Sequence, residues 1–166
     1  MVDYSQTELE NEDTQHGRFL AFTLGNECYG LEIRYVTEII GMQEISGIPE
    51  APAYIKGIIN LRGMIIPVID VRLKFKKPEA EYTDRTCIIV VDTGEVSVGL
   101  IVDEVYEVLT IDDGDIAPPP DIRIGVKSKY LAGIGKSEGR VILLLDSKNL
   151  FFSDEVAMMT EICEKQ

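Results

Sequence analysis

YIKGIINLRGMIIPVIDVRLKF, Tyr54 to Phe75, occurs twice in this chain in diverged form. It aligns without gaps to YLAGIGKSEGRVILLLDSKNLF, Tyr130 to Phe151. Identities fall at Tyr54/Tyr130, Gly57/Gly133, Ile58/Ile134, Gly63/Gly139, Ile66/Ile142, Asp70/Asp146 and Phe75/Phe151. A repeat changes every later reading, because each local feature now has a counterpart. In both copies an apolar run meets a two-residue turn, Arg62-Gly63 or Glu138-Gly139, and a second apolar run follows, which is the pattern of a β-hairpin. Pro67 lies in the second run and has no N–H to donate, so it predicts an edge strand or a bulge. Asp70 and Asp146 close their strands and are suited to bond the backbone of the turn that follows.

A second matching piece stands upstream of each copy, GLEIRYVTEII from Gly30 and GLIVDEVYEVL from Gly99. The chain is two versions of one unit, residues 18 to 75 and 85 to 152, joined by the polar stretch Lys76 to Asp84 with Pro78. Phe19 to Leu24 and Thr86 to Val91 read as strands. Each precedes a turn signal, Gly25-Asn26 or Thr93-Gly94, and a further strand, Tyr29 to Ile33 or Val96 to Val102. Val36, Ile39 and Ile40 then show helical spacing, as do Val102 and Val105, which predicts a helical turn or short helix at this point in both units. Loops with Pro49 and Pro52, and with Pro118, Pro119 and Pro120, come next and cannot sit inside a sheet. Short strands at close spacing with glycine turns predict a mainly β fold of two small five-stranded barrels, which close to remove free edges. After Ser153 as N-cap, Val156, Met159, Ile162 and Cys163 at helical spacing predict a terminal helix over 153–166 packed on the barrels.

With 166 residues and 45% hydrophobic content the chain can bury a core. The net charge of −13 opposes sequence-independent binding to phosphate backbones, so nucleic acid is not an expected partner. The longest apolar runs, Met64 to Ile69 and Val141 to Leu145, fall far short of the roughly 20 residues that cross a bilayer. No signal peptide pattern opens the chain, which predicts the cytoplasm and no membrane insertion. Residues 1 to 16 carry Asp3, Glu8, Glu10, Glu12 and Asp13 without Lys or Arg and read as a disordered, acidic leader. Cys28, Cys87 and Cys163 have neither the spacing of a disulfide framework nor that of a metal pair, and are read as reduced packing residues.

Motifs that suggest chemistry fail on inspection. Gly135-Lys136-Ser137 resembles the end of a nucleotide-binding P-loop, but Tyr130 occupies the place of its leading glycine and strand residues follow instead of a helix. Asp112, Asp113 and Asp115 around Gly114 lack the alternating ligands and bidentate Glu of a calcium loop and read as a solvated turn. His16, the single histidine, lies in the expected leader, which removes Ser-His and Cys-His catalysis and most zinc sites. No cofactor, metal or catalytic residue is expected, and no constellation demands an enzyme.

Taken in order, FTLGNECYGLEI, GIINLRG with its proline-containing strand, Asp70 and Arg72, and the YLAGIG to LLLD end resemble the CheW family over residues 18 to 160. The resemblance implies two SH3-like five-stranded β-barrels packed through a hydrophobic core, a CheW-like domain over 17–152. It also implies a non-enzymatic adaptor of bacterial chemotaxis, in a two-component system, coupling methyl-accepting chemoreceptors to the histidine kinase CheA. Its expected partners are the CheA regulatory domain, through end-to-end barrel contact, and the chemoreceptor cytoplasmic hairpin tip, lying helix-in-groove between the barrels. The adaptor would be monomeric alone, cytoplasmic, and recruited to membrane-associated receptor arrays. The alternative is a related two-barrel interaction module, like the CheA regulatory domain, serving a non-chemotaxis receptor system. By the same resemblance Val36, Glu38, Ile39, Gly57, Asn60, Arg62 and Gly63 are candidates for receptor binding, and Gly99, Val102, Asp103 and Val105 for kinase binding. The duplication sharpens Arg62, because Glu138 holds its place in the second unit. Arg is suited to bidentate pairing with a carboxylate, either Glu38 of the same chain or one on the receptor.

Overall fold

A computed structural model describes residues 15–92, 97–119 and 130–151. The leader before residue 15, the Thr93-Gly94 turn, Pro120 and the expected helix over 153–166 lie outside the described residues. The first repeat forms β1 (Arg18–Leu24), β2 (Glu27–Glu32), β3 (Val36–Gly41), β4 (Ile55–Leu61), β5 (Met64–Asp70) and a helical turn α1 (Val71–Lys74). The second forms β6 (Cys87–Asp92), β7 (Ser97–Val102), β8 (Glu104–Thr110), a two-residue β9 (Ile116–Ala117), β10 (Leu131–Ser137), β11 (Arg140–Leu145) and α2 (Ser147–Phe151).

Two sheets result, and neither follows a repeat. One runs β8-β1-β2-β11-β10-β9 and the other β3-β6-β7-β5-β4. Each is centred on the first hairpin of one repeat and flanked by the remaining strands of the other, β8 to β11 around β1-β2 and β3 to β5 around β6-β7. The β2–β11 and β5–β7 ladders, which join the repeats, are parallel, and the remainder are antiparallel. The crossings are short: a 3-10 turn, Ile33–Tyr35, between β2 and β3, and Asp103 between β7 and β8.

In each sheet the chain just beyond the third strand of a repeat returns to pair with that repeat's second hairpin. β3 and β4 are opposite edges, yet Ser46, just beyond β3, exchanges two backbone hydrogen bonds of 2.9 Å with Ile58 of β4. In the other sheet β9 pairs Ala117 with Ile134 of β10, the counterpart of Ile58. Register shifts recur at matching places, between Ile55 and Gly57 and between Leu131 and Gly133. Such bulges bend a strand and increase its twist, as closure of a small barrel requires.

Side chains fall into three cores. Ile59, Leu61, Ile66, Val68, Ile88, Val90 and Ile101 fill one sheet, and Phe19, Ile111, Ile142 and Leu144 fill the other. Between the sheets lies the largest core, with Leu20, Phe22, Tyr29, Leu31, Ile69, Ile89, Leu100 and Leu145. β1, β2, β6 and β7 are therefore covered on both faces, and apolar residues run on without alternation in the middle of β1 and β6. Gly30 and Gly99 face the narrow interiors. A Cβ on Gly30 would stand 2.9 Å from Leu144 Cδ2, and one on Gly99 2.9 Å from Ile88 Cγ2.

Two expectations need correction. Val36 to Ile40 and the region after Val102 are strands, β3 and β8, not helical turns; the 3-10 turn at Ile33–Tyr35 ends where β3 begins. A strand bulged between Val36 and Glu38 brings the apolar residues 36, 39 and 40 into a spacing that a helix also produces. Pro67 lies in a strand with neighbours on both sides. It pairs with Ile58 of β4, while the ladder to β7 begins only at Val68, so its missing N–H costs that ladder nothing. The bulge the proline suggested is in its partner, β4.

Candidate functional site

The Arg62-Gly63 turn has φ of 51° and 90°, and Glu138-Gly139 has 51° and 77°. Positive φ at both central residues is the geometry that joins twisted strands through two residues. Asn60 steadies the first turn, its Oδ1 accepting from the Gly63 N–H at 2.8 Å. From that turn Arg62 reaches across the closure of the barrel, donating from Nη2 to Glu38 Oε2 of β3 at 2.6 Å. Arg62 is exposed and Glu38 mostly covered, so the ion pair is a surface feature that defines shape more than stability. Ile39, Met64 (57% exposed) and Ile65 present apolar surface from the same two strands, β3 and β5.

Of the residues assigned by resemblance to the receptor, Glu38, Ile39, Asn60, Arg62 and Gly63 thus belong to one rim. Val36 packs instead against the central core. Gly57 is buried with φ of 148°, and a Cβ there would fall 2.0 Å from the Ser46 carbonyl oxygen, so it belongs to the closure of the barrel. Sequence reasoning placed Met64 and Ile65 only in the apolar run after the turn and did not single them out as site residues. The signal was available: the residues that follow a two-residue turn stand at the protruding end of a hairpin.

The kinase candidates have a different fate. Gly99 and Val102 are buried and offer no surface, and Val105 packs partly against the central core. Asp103 accepts from Arg72 Nε and Nη2 at 2.7 and 2.5 Å and from the Gly25 N–H at 2.7 Å. Burial alone would raise its pKa; the hydrogen bonds from Arg72 and Gly25 and the charges of Arg72 and Lys77 outweigh that and hold the carboxyl below its ordinary value. Among the described residues of the second repeat, the exposed large apolar side chains are Tyr106, Val108 and Val141 (56% exposed), with the Arg140 guanidinium 5.7 Å from the Tyr106 ring. They form a second rim, equivalent to the first. Glu107 and Glu138 stand where the first rim has Glu38 and Arg62, so the two ends share a backbone shape and differ in charge.

The repeated aspartates are structural. Asp70 Oδ1 accepts from the Leu73 N–H at 3.4 Å and Oδ2 from the Tyr82 hydroxyl at 2.9 Å. Asp146 accepts from the Asn149 backbone N–H and side-chain amide at 3.2 and 3.1 Å. Gly133 to Ser137 lie within β10, and Glu138-Gly139 is its turn. His16 meets Asp113 at 3.2 Å on the exposed surface. Desolvation raises the pKa values of Cys28 and Cys87, which suppresses the reactive thiolate. Among the described residues, no group of three His, Cys, Asp or Glu could hold a metal ion, and no helix is long and apolar enough to cross a membrane.

The CheW-like domain family matches residues 18–155. Over 152 residues the chain is 38% identical to the chemotaxis protein CheW of Klebsiella aerogenes, covering 92% of each chain. It is 33% identical to that of Bacillus subtilis over 133 residues, 78% of this chain and 83% of the other. Among solved structures, the scaffolding protein TtCheW of Thermoanaerobacter tengcongensis superimposes with a TM-score of 0.76 at 38% identity, covering 84% of this chain and 94% of that one.

Proposed function

Since this chain belongs to the CheW-like domain family, we propose that it is a non-enzymatic chemotaxis adaptor that couples chemoreceptors to the histidine kinase CheA in the cytoplasm, at membrane-associated receptor arrays. One observation carries the reading: two exposed rims of common backbone geometry, one on each sheet, differ in charge and surround no reactive group. Such a molecule suits holding two partners and turning over neither. The Glu38–Arg62 rim, with Ile39 and Met64, takes the helical tip of the receptor, whose apolar ridge would meet those side chains. The Tyr106–Val108–Val141 rim takes the CheA regulatory domain, with an apolar centre and the acids Glu107 and Glu138 at its border.

Binary titrations test it. The full chain should bind a chemoreceptor cytoplasmic fragment and a CheA regulatory domain separately. Arg62→Glu should weaken the first interaction, and Val108→Asp the second. Absence of both binary interactions in the unsubstituted protein would end the proposal.

A further inference from the structure

A charge stands between the two sheets, where an apolar side chain would be expected. Lys74 of α1 is 5% exposed, and its counterpart in the second repeat is the fully buried Leu150. Lysine is seldom enclosed unless other groups replace its water. The Lys74 Nζ lies 4.5 Å from the centroid of the Tyr54 ring and 5.4 Å from that of Tyr130, and an aromatic face attracts a cation at such distances. The two tyrosines are equivalent residues, anchored alike. The Tyr54 carbonyl accepts from the Asp70 N–H at 2.8 Å, and the Tyr130 carbonyl from the Asp146 N–H at 2.6 Å. Phe75 stacks on Tyr130 with centroids 5.4 Å apart and touches Tyr29 at 5.6 Å, continuing the contact into β2.

Each tyrosine is the root of a strand whose far end is a rim. Tyr54 leads into β4, which ends beside Arg62; Tyr130 leads into β10, which ends beside Glu138. β4 and β10 belong to different sheets. Among the described residues, no other cation–π contact joins the two sheets. We infer that Lys74 is a positioning residue: gripped by Tyr54 and Tyr130, it fixes the separation and orientation of the two rims, so that a receptor and a kinase are held together in one geometry. This rests on the adaptor reading above. When two partners must be engaged at once, assembly depends on the geometry between sites as well as on each affinity.

The test compares the full chain with Lys74→Met, which keeps an unbranched apolar stem and removes the charge, and with Lys74→Arg, which restores a cation over the rings. A chemoreceptor cytoplasmic fragment and a CheA regulatory domain are titrated singly and together, and thermal unfolding confirms the fold. Lys74→Met should bind each partner within about twofold of the unsubstituted chain yet form the ternary assembly roughly tenfold more weakly, with recovery in Lys74→Arg. Equal ternary assembly by Lys74→Met overturns the inference and leaves the adaptor reading standing. Loss of one binary interaction in a folded Lys74→Met also overturns it, by assigning the lysine to a single rim. If Lys74→Met does not fold, Tyr130→Leu carries the same expectations with the lysine retained. An unsubstituted chain that binds neither partner overturns the adaptor reading and this inference together.

Discussion

Arg72 of the first repeat and Asp103 of the second face each other through two parallel hydrogen bonds, Nε to Oδ1 at 2.7 Å and Nη2 to Oδ2 at 2.5 Å. Asp103 is the single residue between β7 and β8, where the chain leaves one sheet for the other. It also accepts from the Gly25 N–H, in the β1–β2 turn, and its own N–H donates to the Thr23 carbonyl at 3.1 Å. The pair therefore pins the crossing to both sheets, and its geometry is the planar, bidentate one that arginine makes and lysine does not.

Asp103→Asn should cost about 2 kcal/mol at neutral pH, since it weakens partly covered, charge-assisted hydrogen bonds. The pH dependence follows from the lowered pKa of Asp103. A carboxyl whose folded value lies below its unfolded one stabilises fully above the unfolded value, about 3.9, and loses that contribution as pH falls through the folded value. Urea unfolding at pH 7 and pH 3 should therefore show the gap between the unsubstituted chain and Asp103→Asn narrowing in acid. A gap independent of pH would remove the carboxylate from the explanation.

Gly57→Ala and Gly63→Ala separate crowding from backbone strain. Both glycines have positive φ, but a Cβ at Gly57 would lie 2.0 Å from the Ser46 carbonyl oxygen, whereas one at Gly63 meets nothing within 4 Å. Gly63→Ala should cost on the order of 1 kcal/mol, and Gly57→Ala about 3 kcal/mol or more, because the closing Ser46–Ile58 bridge must open. Equal midpoints in thermal unfolding would contradict this.

Ser147 offers a stabilising substitution. Its Oγ is buried without a hydrogen-bond partner, and the first repeat has the fully buried Val71 in its place. Ser147→Ala removes the orphaned hydroxyl without adding volume and should raise stability by about 1 kcal/mol. A lower denaturation midpoint would show that the hydroxyl is satisfied in solution.

At the first rim, exchanging the charges separates shape from contact. If the Glu38–Arg62 bond matters by holding the turn against β3, Glu38→Arg combined with Arg62→Glu should restore receptor binding lost in either single variant. A doubly substituted chain that folds and stays inactive would place Arg62 directly on the partner. Because the pair is a surface one, all three variants should unfold at similar temperatures.

Much of the structure was legible before folding. The turn pairs Arg62-Gly63 and Glu138-Gly139 and the capping by Asp70 and Asp146 depend on residues close in sequence or on matching positions in two copies, whereas the Arg62–Glu38 pair joins residues 24 apart and the sequence left its partner open. Of the candidate site the sequence offered residue types and turn positions but not their exposure. Glu38, Asn60 and Arg62 lie together on one rim, whereas Gly99 is enclosed between Ile88 of its own repeat and Val68 of the other, and Val102 lies in the core between the sheets, which no local pattern contains. β3 and β8 were misread for a related reason: edge strands with one bulge carry too weak an alternation to exclude a helix.

By itself the sequence determined that the chain is mainly β, that it consists of two copies of one unit, and that each copy offers a glycine hairpin with its own charge. Only the tertiary structure decided which copy pairs with which. β1 and β6, β2 and β7, β5 and β11 present the same apolar pattern, so a strand fits the edge of its own repeat or of the other almost equally well on local grounds. The short crossings settle the choice. One 3-10 turn and the single residue Asp103 are too brief to lead β3 or β8 back across its own hairpin, so each continues into the neighbouring sheet, and the two halves close only around each other.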